Sequence, residues 1–208
     1  NAEEIEDRFC KELEFGTAGL RGKLGAGTNR MNEFTVGKAT QGIAEFISEK
    51  GEEYRQRGVV IAYDCRHFSK EFAVLASEIL AANGVHVFIF ESLRPTPELS
   101  YTIRRLKAAA GINITASHNP KQYNGYKVYW ESGAQVLDNI ADGMYEKIQQ
   151  VDMFEGVARS DFDRAVGKGI VTVLPEKTDR DYMDLVKSLA IRGGAELEKA
   201  LPIVYTPL

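Results

Sequence analysis

The sequence predicts a three-layer α/β/α domain built on a mixed, mostly parallel sheet. Compact apolar runs at Val59 to Tyr63, Val85 to Phe90 and Gly111 to Thr115 read as buried strands. Stretches with helical apolar spacing separate them, which is the pattern of parallel strands joined by crossover helices. The run from Asn124 to Trp130 follows the third strand too soon for such a crossover, so those two strands are expected to pair antiparallel.

In chain order, a short polar helix is expected to end near Cys10. The segment Glu14-Phe15-Gly16-Thr17-Ala18-Gly19-Leu20-Arg21-Gly22 is too glycine-rich for regular helix and reads as a loop bending closely around something. From Phe34 to Lys50, Val36, Ala39, Ile43, Phe46 and Ile47 recur at helical spacing, with Gly51 at the stop position. A helix from about Ser69 to Ala82 follows the first strand. After the second, Pro95-Thr96-Pro97-Glu98 opens a helix with Thr96 as its expected cap. Asp138 to Val151 predicts a further helix, Ile170 to Leu174 a short extended piece, and Asp179 to Ala190 a last helix.

The chain has 208 residues, 44% of them hydrophobic, and a formal net charge of −4. That suits one large soluble domain, or one domain plus the beginning of another. Residues 1–200 are expected to form the domain and 201–208 the first strand of a second. The first residue is Asn and the last strand lacks partners, so both ends read as cut. Lys and Arg are scattered among Asp and Glu with no basic run, which argues against a nucleic-acid face or a membrane-binding helix. The longest apolar stretches, such as Val85 to Phe90, are far too short to cross a bilayer. Cys10 and Cys65 form neither a CxxC pair nor a metal set, so a reducing cytoplasm is the expected compartment. A small molecule is the expected partner.

In open α/β sheets, ligands collect where strand C-termini, loops and helix N-termini converge. Two polar clusters sit there: Thr115-Ala116-Ser117-His118-Asn119-Pro120 after the third strand, and Asp64-Cys65-Arg66-His67 after the first. The first, joined to Asn124-Gly125-Tyr126-Lys127, resembles the phosphoserine loop of the α-D-phosphohexomutases, the family of phosphoglucomutase and phosphomannomutase. Glu14 to Gly22 resembles that family's N-terminal arginine loop, and Tyr63-Asp64-Cys65-Arg66 its Asp-x-Arg element. These motifs run in the family's order. The strand Tyr126 to Trp130 and the opening Leu13 to Gly19 look closest to the phosphoglucomutase-2-like branch.

The resemblance implies an N-terminal mutase domain that interconverts glucose 1-phosphate and glucose 6-phosphate. It makes Ser117 the phosphoryl carrier, primed by a hexose 1,6-bisphosphate, with Lys127 and Arg21 in acid–base work and in holding the phosphorylated sugar. His118 and Asn119 would shape the loop and contact phosphoryl or substrate. Mg2+ would bind Ser117 through its phosphate, with its other ligands in the remaining domains of the same enzyme. Asp161-Phe162-Asp163-Arg164 has one aspartate too few for the family's magnesium loop and reads as a polar surface turn. A fragment without those ligands is expected to be inactive, and mannose or pentose phosphates are alternative substrates.

The chemistry has a reading independent of the resemblance. A serine on a strand-end loop can carry a phosphoryl group of roughly −1.5 to −2 charge, which cations or a metal must offset. Lys127 lies ten positions beyond Ser117 and returns along the paired strand, so its amine is a proton-shuttle candidate if its pKa is lowered. Asp64 and Arg66 are expected to brace one another or neighbouring loops. His86 and the aromatic residues Tyr123, Tyr126, Tyr129 and Trp130 are expected to pack. A serine hydrolase is the rival enzyme class, prompted by Ser117-His118, but the G-x-S-x-G elbow is lacking and adjacent residues in extended chain point apart. A non-catalytic sugar-phosphate-binding module is the third reading.

Overall fold

A computed structural model describes residues 1–16, 19–191 and 202–204. Its elements are α1 (Ala2–Phe9), β1 (Leu20–Lys23), α2 (Glu33–Glu49), α3 (Glu52–Arg57), β2 (Val59–Tyr63), α4 (Ser69–Ala82), β3 (Val87–Phe90), α5 (Thr96–Leu106), β4 (Ala110–Ile114), β5 (Tyr123–Trp130), α6 (Asp138–Gln150), α7 (Phe162–Gly167), β6 (Val171–Leu174) and α8 (Lys177–Ser188).

The strands form one sheet in the order β1-β5-β4-β2-β3-β6. β2 pairs in parallel with β3 and β4, and β3 with β6, while β5 is antiparallel to β4 and β1. The expected mixed sheet therefore forms, and the short loop after β4 does return as an antiparallel partner. β2 and β4 are buried along their whole length because helices cover both faces. On one face, α2, α4 and α6 close a core over Ile61, Ile112, Ile114, Tyr126 and Val128. On the other, Leu99 and Ile103 of α5 pack against Val60, Ala62 and Tyr129. α8 lies against α5, where Tyr101 and Tyr182 meet at a ring distance of 5.5 Å and Arg94 pairs with Asp179.

Local chemistry sets the main elements. α2 starts at a capping box: Asn32 Oδ1 accepts the Phe34 and Thr35 amides, and Thr35 Oγ1 accepts the Asn32 amide at 3.1 Å. Its apolar stripe of Val36, Ile43 and Ile47 is wholly buried. Gly42 lets α6 approach closely, since a Cβ there would lie 2.6 Å from the Ile148 backbone.

Several expectations change. The second half of the glycine-rich segment is strand β1, not loop, because the outer side of β5 offers unpaired backbone groups that Leu20 to Lys23 satisfy. Thr96 is the first helical residue rather than the cap; Pro95 occupies the cap position, and Thr96 Oγ1 instead accepts Asn113 Nδ2 at 2.7 Å. β3 begins at Val87, two residues later than the apolar run. Asp161 to Arg164 is no mere turn: the Asp161 side chain accepts the Arg164 amide at 2.8 Å and caps the short helix α7. Of the expected terminal strand, Leu201 and 205–208 lie outside the described residues, and Pro202, Ile203 and Val204 carry no regular structure. Among the described residues no helix is long and apolar enough to cross a membrane.

Candidate active site

β2 and β4 run side by side, Tyr63 opposite Ile114, so the loops that follow them leave the same edge of the sheet. The Asp64 amide donates to Ile114 O, and the Thr115 amide to Gly125 O, which anchors the start of each loop. Ser117 is exposed and sits at the crest of the second loop with φ 55°, a left-handed conformation uncommon for a serine. The Ser117 amide donates to Thr115 Oγ1 at 3.0 Å. The Asn119 amide and Nδ2 both donate to Ala116 O, at 3.1 and 2.9 Å. Asn119 therefore turns its side-chain amine into the loop.

The left-handed turn also brings Ser117 Oγ within 3.5 Å of His118 Nδ1. Neighbouring side chains in extended chain would diverge; here the backbone is not extended, which corrects that premise. The contact is at the long limit of a hydrogen bond, and His118 makes no side-chain hydrogen bond to a carboxylate among the described residues. No described residue acts as the orienting third member that a serine nucleophile with a histidine base requires.

Two loop-spanning networks hold this turn. The Arg66 guanidinium donates to four carbonyls of the serine loop: from Nη2 to Ser117 O at 2.5 Å and Asn119 O at 2.6 Å, from Nη1 to Pro120 O at 3.1 Å and Tyr123 O at 3.2 Å. Asp64 faces Arg66 Nε at 3.4 Å while its Oδ1 accepts the Arg66 amide and the Ser69 hydroxyl. In return, the fully buried Asn124 at the start of β5 donates from Nδ2 to His67 O and Ser69 Oγ, each at 3.0 Å, and accepts the Gly125 amide. The bracing expected of Asp64 and Arg66 thus runs to each other and into the serine loop. In the sequence Asn124 belongs to the Asn124-Gly125-Tyr126-Lys127 segment with no role of its own; the cross-link it makes is a finding of the structure.

Lys127 lies opposite Asn113 on β4, and Arg21 opposite Gly125 on β5. Alternation along a strand puts Arg21, Gly125 and Lys127 on one face. Burial holds the Lys127 amine below its ordinary pKa, and the Arg21 cation lowers it further, against a weaker upward pull from the Asp64 carboxylate. The fold thus gathers Ser117, His118 and Asn119 on one loop, with Lys127 and Arg21 on the two strands beside it. His86 has no part in this: its Nε2 lies 3.2 Å from Thr172 Oγ1 and its ring packs on Phe88.

Mg2+ prefers hard oxygen donors in octahedral array. The loop's carbonyls at Ser117, Asn119, Pro120 and Tyr123 are engaged by Arg66, and no group of three His, Cys, Asp or Glu side chains converges among the described residues. A phosphate on Ser117 would add one such oxygen donor. A groove of about 670 Å³ lies elsewhere, lined by Phe34, Phe68, Phe72 and Phe154, and touches none of the site residues.

This α/β/α domain, with a serine loop at the C-terminal edge of its parallel strands, matches a family model. That model is described as phosphoglucomutase/phosphomannomutase, alpha/beta/alpha domain I, and it covers residues 12–155. The chain belongs to the phosphoglucomutase/phosphomannomutase family. It is 42% identical to a phosphopentomutase of Homo sapiens over 99% of its own length and 34% of the relative's. With a glucose 1,6-bisphosphate synthase of Homo sapiens it shares 44% identity over 98% of its length and 33% of the relative's. With a phosphoglucomutase of Staphylococcus epidermidis the identity is 36%, over 100% and 37%. A putative phosphomannomutase from Thermus thermophilus superposes with a TM-score of 0.68 at 28% identity, over 86% of this chain and 36% of that one. The chain therefore spans about a third of the length of these relatives.

Proposed function

We propose that this chain is the phosphoryl-carrying domain of a mutase that interconverts glucose 1-phosphate and glucose 6-phosphate through a hexose 1,6-bisphosphate. The observation that carries the proposal is Ser117, an exposed hydroxyl in a left-handed turn whose backbone is tied down on every side. A turn held this firmly, at the strand edge where α/β domains bind ligands, suits a group that must meet its acceptor in line.

In the proposed reaction the sugar hydroxyl oxygen bonds to the phosphorus carried by Ser117 as the Ser117 Oγ–P bond breaks. Lys127 takes the hydroxyl proton, a role its lowered pKa supports, while the departing Ser117 Oγ keeps the bond electrons and takes up a proton from water; the second half-reaction reverses this and returns the other phosphate to Ser117. Arg21, on the same strand face, would hold the phosphate that is not being transferred. Mg2+ on the Ser117 phosphate would neutralise part of the developing charge. Ser117 would be its one ligand from the described residues, so the isolated chain is expected to bind phosphate but to turn over no sugar.

A pentose 1-phosphate and 5-phosphate pair is the second reading. It is favoured by the greater identity to proteins named phosphopentomutase, 42% to 45%, than to those named phosphoglucomutase, 36% to 38%. The test is intact-mass and peptide mass spectrometry of the complete protein after incubation with glucose 1,6-bisphosphate. One phosphate on Ser117 is expected. A complete protein that interconverts either sugar phosphate pair without ever carrying phosphate on Ser117 would refute the carrier role. The ratio of kcat/KM for the two sugars then decides between them.

A further inference from the structure

The ties inside the serine loop close it on itself but do not fix it against the fold. Arg66 does. A guanidinium has five N–H donors in a rigid plane, and here Nη1 and Nη2 divide four carbonyls between them while Nε lies 3.4 Å from the Asp64 carboxylate in an ion pair. The side chain is only 11% exposed, so no donor remains to grip a substrate phosphate.

The acceptors span Ser117 to Tyr123, the whole passage from carrier serine to strand β5. Asp64, the residue after β2, accepts the Arg66 amide and faces Nε at 3.4 Å, and Asn124 ties the Arg66 loop back to β5. Ser117 thus keeps an unfavourable backbone angle because a neighbouring loop holds its carbonyl, which is how strained residues persist at functional sites.

We infer that Arg66 is a positioning residue for phosphoryl transfer, acting on Ser117 through the backbone and never touching the sugar. The inference rests on Ser117 being the phosphoryl carrier. It separates Arg66 from Arg21: one would shape the donor, the other would bind substrate. It also sets a geometric requirement that charge alone does not meet. A lysine ammonium is a point donor and cannot span four carbonyls.

The test compares wild type with Arg66→Lys and Asp64→Asn in the complete protein, following phosphate uptake at Ser117 from glucose 1,6-bisphosphate and the steady-state mutase rate. Small misplacements of a reacting group cost on the order of a hundred-fold. Arg66→Lys is therefore expected to lower kcat and the uptake rate by about that factor, with KM for the sugar phosphate near wild type. Asp64→Asn keeps the oxygen that Ser69 and the Arg66 amide donate to and turns the oxygen facing Nε into an uncharged amine, leaving the four carbonyls in reach of the guanidinium, so its loss is expected to be smaller. It also carries the test if Arg66→Lys does not fold. Wild-type uptake and kcat in a folded variant would overturn the inference while leaving Ser117 as carrier, as would a loss confined to KM. No uptake at Ser117 in wild type would remove the carrier reading itself and the inference with it.

Discussion

Arg21 and Lys127 share one face of the β1–β5 pair, with Lys127 two positions along β5 from Gly125, the residue opposite Arg21. Partial burial disfavours the charged form of Lys127, and the Arg21 cation placed diagonally across the adjacent strand adds to that effect. The rising limb of the pH–rate profile for phosphoryl transfer is therefore expected below the ordinary lysine range. Arg21→Gln removes the neighbouring cation, so the limb should move to higher pH. Lys127→Met should abolish the limb and lower kcat by roughly 10² to 10⁴, the usual contribution of a general acid or base. A profile unchanged by Arg21→Gln would disprove the coupling.

Gly125 is the narrow point between the serine loop and β1. A Cβ there would lie 2.6 Å from Thr115 O and 3.0 Å from Leu20 O, both backbone atoms that cannot swing away. Gly125→Ala should destabilise the domain by about 2 kcal/mol through overpacking. It should also weaken the Thr115 amide bond to Gly125 O, which hydrogen exchange at that amide would report.

Asn124 is fully buried with both ends of its amide engaged. Asn124→Ala leaves His67 O and the Gly125 amide without partners and should cost about 3 kcal/mol in denaturant unfolding. Asn124→Asp replaces the donating amine with an acceptor facing His67 O, and should be no better tolerated. Retention of wild-type stability by either variant would contradict the cross-link.

Glu98 on α5 is 4% exposed, its Oε1 has no hydrogen-bond partner, and burial followed by the Asp179 carboxylate raises its pKa to about 7. Arg94 holds Asp179 from both oxygens and keeps that carboxyl below its usual value. The signs are opposite. Glu98 contributes stability that is fully present below 4.5, its ordinary value, and lost as the pH rises through about 7. Asp179 contributes stability present above 3.8 and lost as the pH falls below it. Unfolding free energy should thus decline by on the order of 2 kcal/mol between mildly acidic and neutral pH. Glu98→Gln, which keeps the neutral form, should flatten that decline.

Much of the fold was legible in the sequence because its strands are continuous apolar runs. β2 and α4 have the bounds that their residue patterns imply, and the short loop between β4 and β5 excluded a crossover. What was not legible depends on distant partners. β1 lies at the end of a glycine-rich segment and forms a strand only because β5 needs a neighbour. α3 and α7 are six residues each, too short for a periodic signal. At the site, Ser117 and Lys127 could be joined because one hairpin carries both. That Arg66 braces a neighbouring loop could be read, but its four acceptors in the serine loop could not, because carbonyl acceptors leave no mark on side-chain identity.

That last contrast bears on mimicry. A synthetic peptide copying Ala110 to Trp130 would contain the serine, the histidine, the asparagine and the lysine in their native spacing. It would lack the guanidinium that reaches Ser117 from 51 residues away. Reagents raised against such a peptide would meet a serine free to leave its left-handed turn, and would discriminate poorly between the folded protein and its unfolded chain.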